Sequence, residues 1–285
     1  MTEERTKDDD LALFITAAES HLDYMRDLIE TSGVIIRSSD HRDIIFGAHL
    51  SRMTLTCRSV FQLCRMGSAH DATALCRVLL EHNISLIYLV SHKDTVKATS
   101  DFVLDSLTHV GNSHLNAAKH YPESFRFYPD KARQAIEIGE NARYQNGFMA
   151  QLEYLRNNFP QTYFDWYKEL IYGDLSICTH PHASGMDPFA PAFAEPFQLR
   201  RPSLPEQNTS AAALSWVFTQ SAYAWTAFAW GLTWGKDLVD SGVALLVEHP
   251  NVRSAVGVGI YLPDLPSAAP KPPGKKKSGQ RSSQK

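Results

Sequence analysis

The stretch Asp71-Ala-Thr-Ala-Leu-Cys-Arg77-Val-Leu-Leu-Glu81-His82-Asn-Ile-Ser-Leu-Ile-Tyr88-Leu-Val-Ser-His92 reads as one long helix, apolar around most of its circumference. At roughly 100° per residue, Leu75, Leu79, Leu86 and Val90 share one side, with Cys76, Leu80 and Ile87 on one flank and Val78 and Leu89 on the other. The remaining stripe is Arg77, Glu81, Ile84 and Tyr88. A helix wrapped in this way belongs inside a bundle. Arg77 and Glu81, at i and i+4, are therefore expected to form an inward-facing charge pair that needs further hydrogen bonds. Tyr88 is placed to donate its hydroxyl to that network.

Helical spacing continues on both sides of this segment, and neither sustained period-two alternation nor an Asn-Gly or Asp-Gly hairpin signal interrupts it. The fold class is all-α, a multi-helix bundle. Helices are expected at about residues 8–31, 40–66, 68–91, 94–119, 129–157, 161–179 and 210–240. The first is opened by Asp8-Asp9-Asp10, whose charge suits a helix N-terminus, and closes near Gly33. Six prolines between His180 and Pro205 forbid a continuous helix there and predict a long extended loop whose phenylalanines pack over the body. Residues 1–262 are expected to form one helical domain. Residues 263–285, rich in Pro, Gly, Ser and Lys, are expected to form a disordered basic tail.

With 285 residues, 44% hydrophobic and 21% charged, the chain has enough apolar material for a sizeable core. Its net charge of -3 conceals a division, because residues 266–285 carry six cations and no acid, leaving 22 cations against 31 acids in the body. A body that acidic makes a poor general polyanion binder, so nucleic-acid contact would fall to the tail, at Lys275, Lys276, Lys277 and Arg281. A protein partner or self-association is the other expected interaction.

Residues 207–235 hold no charged side chain, a length sufficient to span a bilayer. Gln220 and the many Ser and Thr dilute their hydrophobicity, and two aromatic faces separated by small residues describe a central bundle helix instead. No membrane association is expected. The acidic N-terminus lacks a signal-peptide pattern, and Cys57, Cys64, Cys76 and Cys178 read as reduced thiols of a cytoplasmic protein. No cofactor is expected.

Three constellations could carry chemistry. The helix at 40–66 presents Phe46, Leu50, Met53, Cys57, Val60 and Cys64 to the core, with His49, Arg52, Thr56 and Ser59 beside that face, where they could meet the Arg77 network. In Tyr172-Gly-Asp-Leu-Ser176-Ile-Cys178-Thr-His180-Pro-His182, Ser176 and His180 are i and i+4, a nucleophile–base spacing without a nucleophile elbow. Cys178, His180 and His182, with Asp187, offer soft and borderline metal ligands, although the spacing fits no structural zinc motif and no metal is assigned.

Ala74-Leu-Cys-Arg77-x-x-x-Glu81 on a long apolar helix, followed by Tyr172-x-x-Leu-Ser176-x-x-x-His180-Pro181, resembles a bacterial helical family of unknown function numbered fifty-six seventy-seven. The resemblance covers about residues 40–186. It implies a helical bundle in which Arg77, Glu81, Ser176 and His180 converge, and a setting in stress response or phage defence. A second similarity is to HEPN ribonucleases, helical dimers whose site pairs an arginine with a histidine four to six residues on. Arg77-Val-Leu-Leu-Glu81-His82 and Arg65-Met-Gly-Ser-Ala-His70 have that spacing, with Val78 and Met66 where HEPN proteins carry a polar residue.

The expected function is a non-enzymatic interaction module. The alternative is a HEPN-like ribonuclease or other hydrolase built on Arg77, Glu81, His82, Ser176 and His180, with Tyr88, Arg52, His49 and Tyr172 lining the site.

Overall fold

In the computed structural model, the described residues are 6–31, 40–120, 147–159, 163–179 and 203–255. Their order is α1 (Lys7–Thr31), α2 (His41–Arg65), α3 (Ala69–Ser91), α4 (Thr95–His120), α5 (Phe148–Asn158), α6 (Tyr163–Trp166), a π-helical turn (Tyr167–Ile171), α7 (Tyr172–Thr179), α8 (Pro205–Ala229), α9 (Gly235–Glu248) and α10 (Pro250–Ala255). There is no strand among the described residues, and the all-α expectation is met. The proline-rich loop's residues 180–202 and the tail lie outside the described residues, as does most of the helix expected at 129–157.

The two glycines with positive φ, Gly67 (71°) and Gly231 (69°), each end a helix in the same way. The Gly67 N–H bonds the Cys64 carbonyl and the Ser68 N–H bonds the Leu63 carbonyl; Gly231 and Leu232 repeat the pattern on Phe228 and Ala227. This double bond pattern needs a left-handed residue, which glycine adopts without steric cost. The expected helix 210–240 is corrected accordingly. It starts earlier, at Pro205, and Gly231 breaks it, so that Gly235 begins a separate helix.

The core is organised around α8, which packs against α1, α2, α3, α9 and α10. Ser203 bonds the Gly67 carbonyl and the Ala69 N–H, and the Cys76 thiol reaches the Ala211 carbonyl, so α3 and α8 run parallel. Contacts from Cys57 to Ser215, Thr54 to Tyr223 and Asp43 to Trp230 show that α2 runs antiparallel to α8. Trp216, Phe218 and Trp225 are fully enclosed, which explains how a charge-free segment this long stays away from water. Among the described residues, the helix long and apolar enough to cross a membrane is α3, and 61% of its apolar window is buried inside the bundle. The expected apolar face of α2, from Phe46 to Cys64, is buried throughout. Cys57, Cys64 and Cys76 are buried free thiols, and burial pushes those of Cys57 and Cys64 up to about 12.

Candidate functional site

Two polar clusters flank α3, and they look in different directions. The first lies between α3 and α7. Arg77 donates through Nε to Glu81 at 3.0 Å, through Nη1 to the Thr179 hydroxyl at 2.6 Å, and through Nη2 to the Tyr172 hydroxyl at 3.0 Å. Its guanidinium also sits 5.0 Å from the centre of the Tyr172 ring, a cation–π distance. The opposite side of the cluster is closed by Phe148 of α5, whose ring stacks on Tyr172 at 4.8 Å. One arginine thus joins α3 and α7, and through Tyr172 the joint extends to α5.

Local sequence explains this convergence. Tyr172 and Thr179 are seven residues apart, two helical turns, so both face the same neighbour. The π-helical turn immediately before Tyr172 interrupts the α-helical phase set by Tyr163–Trp166. Ser176 lies between them, but its hydroxyl donates to the Tyr172 carbonyl at 2.6 Å, a bond within its own helix. Thr179 likewise gives its proton to the Ser176 carbonyl and so accepts from Arg77.

The Arg77–Glu81 pair forms as the i, i+4 spacing predicts, but it is not deep in the core. The two side chains retain 19% and 39% exposure. Tyr88 does not reach them. Eleven residues of rise carry it about 16 Å along α3, where its ring packs on His92 and on Tyr154 of α5.

The second cluster lies between α2, α3 and α4. His49 and His82 meet Nδ1 to Nδ1 at 3.0 Å, so one ring donates and the other accepts, and the Phe102 ring covers His49 at 5.5 Å. Burial, with a smaller contribution from the neighbouring His82, holds His49 down at about 3. His82 is lowered as well, by burial and then by the charge of Arg52, with Glu81 acting in the opposite direction. Arg52 itself is solvent-exposed. The stripe His49–Arg52–Thr56 therefore meets α3 through His82 rather than through Arg77, which is turned toward α7. The two histidines are 33 residues apart, so no local spacing signals their contact.

His180, His182 and Asp187 lie outside the described residues, and of Cys178 only its place on α7 is described. Among the described residues no group of three His, Cys, Asp or Glu side chains could hold a metal. Arg65 is paired with Glu19 across α1 and α2.

With this geometry established, comparison with known proteins gives one match. Residues 43–189 match the model of DUF5677, described as a family of unknown function. The chain belongs to that family. The matched DUF5677 region contains both motifs, Arg77–Glu81 and Tyr172–Ser176, and the arginine joint between α3 and α7 lies wholly inside it. Helices α8, α9 and α10 lie beyond the match, although α8 supplies the centre of the core. No curated protein and no solved structure matches the chain.

Between the C-terminal half of α1 and the middle of α2 lies an open groove of about 580 Å³, lined also by Tyr223 of α8 and by Trp230, the residue that caps its C-terminus. Its walls are the i, i+4 stripes Leu22–Arg26–Glu30 and Leu50–Thr54–Arg58. Such mixed stripes read as ordinary amphipathic helix edges unless the separation of the two helices is known.

Proposed function

We propose that this protein is a non-enzymatic helical interaction module that works by binding at the α1–α2–α8 groove. The observation that carries the reading is the state of Arg77, whose three guanidinium nitrogens are all engaged, Nη1 and Nη2 with Thr179 and Tyr172 of α7 and Nε with Glu81 of its own helix. A phosphate-holding arginine has to offer its fork to the substrate. The groove, by contrast, is open, mostly apolar and edged with polar groups, the usual make-up of a binding site, and its volume falls within the usual range of about 300–1,000 Å³.

The hydrolytic alternative needs Arg77 and His82 to serve one site. Five residues apart on a helix they diverge by roughly 140°, and their contacts lie on different neighbours, α7 and α2. His82 is also held toward its neutral form by burial, which suits a base better than an acid. A cytoplasmic setting is part of the same proposal, supported by the three buried free thiols. A stress or phage-defence context rests on the family resemblance alone.

Incubation with labelled total RNA tests the reading, using wild type, Arg77→Ala and His82→Ala with thermal melts on each. The module predicts no cleavage traceable to either residue, and a lower melting temperature for Arg77→Ala. RNA cleavage that disappears in a variant melting like wild type would establish the nuclease instead.

A further inference from the structure

We infer that the outward face of α2 is a self-association surface, on which α2 of a second copy of this chain lies antiparallel about a two-fold axis at Leu55. The inference goes beyond the groove reading and does not depend on what the groove binds.

The surface follows from spacing and exposure. Ile44, Ala48, Ser51, Leu55, Ser59, Gln62 and Met66 recur at intervals of four, three, four, four, three and four residues, which sets them on one helical face, and all of them are exposed. None is charged, although α2 carries Arg42, Asp43, Arg52, Arg58 and Arg65. These charges stand off the stripe. Arg58 and Arg65 are drawn to Asp23 and Glu19 of α1 on one flank, and Arg52 stands on the other, where its charge acts on His82. The large apolar side chains Ile44, Leu55 and Met66 are 39%, 64% and 74% exposed and follow one another every eleven residues, close to three full turns, so they line up along the helix. The solvent face of an amphipathic helix ordinarily carries its charged residues, and this one carries none.

The order of residues along the stripe identifies the occupant as a second copy. In an antiparallel pair centred on Leu55, that leucine meets its own counterpart, Ser51 meets Ser59, Ala48 meets Gln62, and Ile44 meets Met66. Large apolar groups thus face each other at the centre and at both ends, two small hydroxyl residues face each other between them, and the short Ala48 leaves room for the longer Gln62. A two-fold interface has to be complementary to itself, a demand that an unrelated partner would not impose. The uncharged stripe also brings no like charges together on the axis. From Ile44 to Met66 the helix rises about 33 Å, and with a helix width of about 10–12 Å the footprint is on the order of 350 Å² per copy. That area is at the small end for specific interfaces, so the pair is a reversible dimer that depends on concentration.

The test is sedimentation of the full chain over about 5 to 500 μM, the range in which a small interface dissociates. The weight-average mass of wild type should rise from 31.9 kDa toward twice that value. Leu55→Glu and Leu55→Lys each set like charges against each other at the axis and should weaken association about tenfold or more. An equimolar mixture of these two variants pairs opposite charges there and should associate more strongly than either alone, a result that requires position 55 to meet itself. Met66→Asp, at the exposed end of the stripe, should also weaken association and gives a second position independent of Leu55. Val247→Glu, at a site 53% exposed on α9, should dimerise as wild type does. Melting curves establish that each variant is folded. A wild type that keeps the mass of one chain throughout, Leu55→Glu associating as wild type does, or a mixture no stronger than its components would overturn the assignment. The RNA experiment decides the module reading separately, since it does not measure association.

Discussion

Replacing Asp10 with alanine lowers the stability of the fold by about 3–5 kcal/mol, the usual cost of removing one partner from a buried polar pair. Asp10 is 1% exposed, and its carboxylate is 2.9 Å from His249 Nδ1 through one oxygen and accepts the Asn251 N–H through the other at 3.2 Å. It joins the first turn of α1 to the start of α10, across 239 positions of sequence. Without it, the His249 ring and a backbone N–H lose their acceptor in a setting water barely reaches. Phe14 packs edge-on against the same His249 ring at 5.6 Å, so loss of the pair also loosens an aromatic contact of the core. In a chain of this size that cost corresponds to a fall in melting temperature of roughly 10 °C. Asp10→Asn retains an acceptor and is expected to fall between wild type and alanine. A loss below about 1 kcal/mol for Asp10→Ala would mean that the two ends of the chain are not joined here.

Acidification destabilises the protein through the His49–His82 pair. In the unfolded chain a histidine titrates near 6.5, whereas folded His49 is held at about 3 by burial and by its neighbour. Between those values the unfolded state binds the proton and the folded state does not, so stability falls as pH falls below about 6.5. For His49 alone the loss from pH 7 to pH 5 is about 2 kcal/mol, and His82, shifted in the same direction, adds to it. The measurement is the difference in unfolding free energy between pH 7 and pH 5, for wild type and for His49→Asn. The variant should lose most of the difference that wild type shows. An equal pH dependence in the two proteins would place the acid sensitivity elsewhere.

Much of the helical framework is legible from periodicity, and what is not legible is long-range. α1, α2 and α3 lie within a residue or two of their expected bounds, because Asp40 accepts from Arg42 as a helix cap, Gly67 supplies a left-handed stop, and apolar faces continue between such signals. Gly231 is the same signal in a segment whose apolar run continues past it, and there periodicity outweighs a glycine that in fact ends the helix. At the candidate site, the i, i+4 link of Arg77 and Glu81 could be read from spacing, and Tyr172 stood in the quoted motif. For Thr179 the local sign is its seven-residue offset from Tyr172, which turns both toward the same neighbour. The His49–His82 contact, the Asp10–His249 pair and the groove each depend on how separate helices pack, and a single sequence carries no such information.

The central claim is that Arg77 is a joint between α3 and α7 and not a group awaiting a substrate. A double-mutant cycle in equilibrium unfolding tests it most directly, using Arg77→Ala, Tyr172→Leu and the double variant. Leucine removes both the hydroxyl acceptor and the ring beneath the guanidinium while retaining apolar bulk. If the joint holds the bundle, the two substitutions are coupled by about 1–2 kcal/mol, and the double variant loses less than the sum of the singles. Strict additivity, with Arg77→Ala as stable as wild type, would contradict the account and return Arg77 to the list of residues held ready for a ligand.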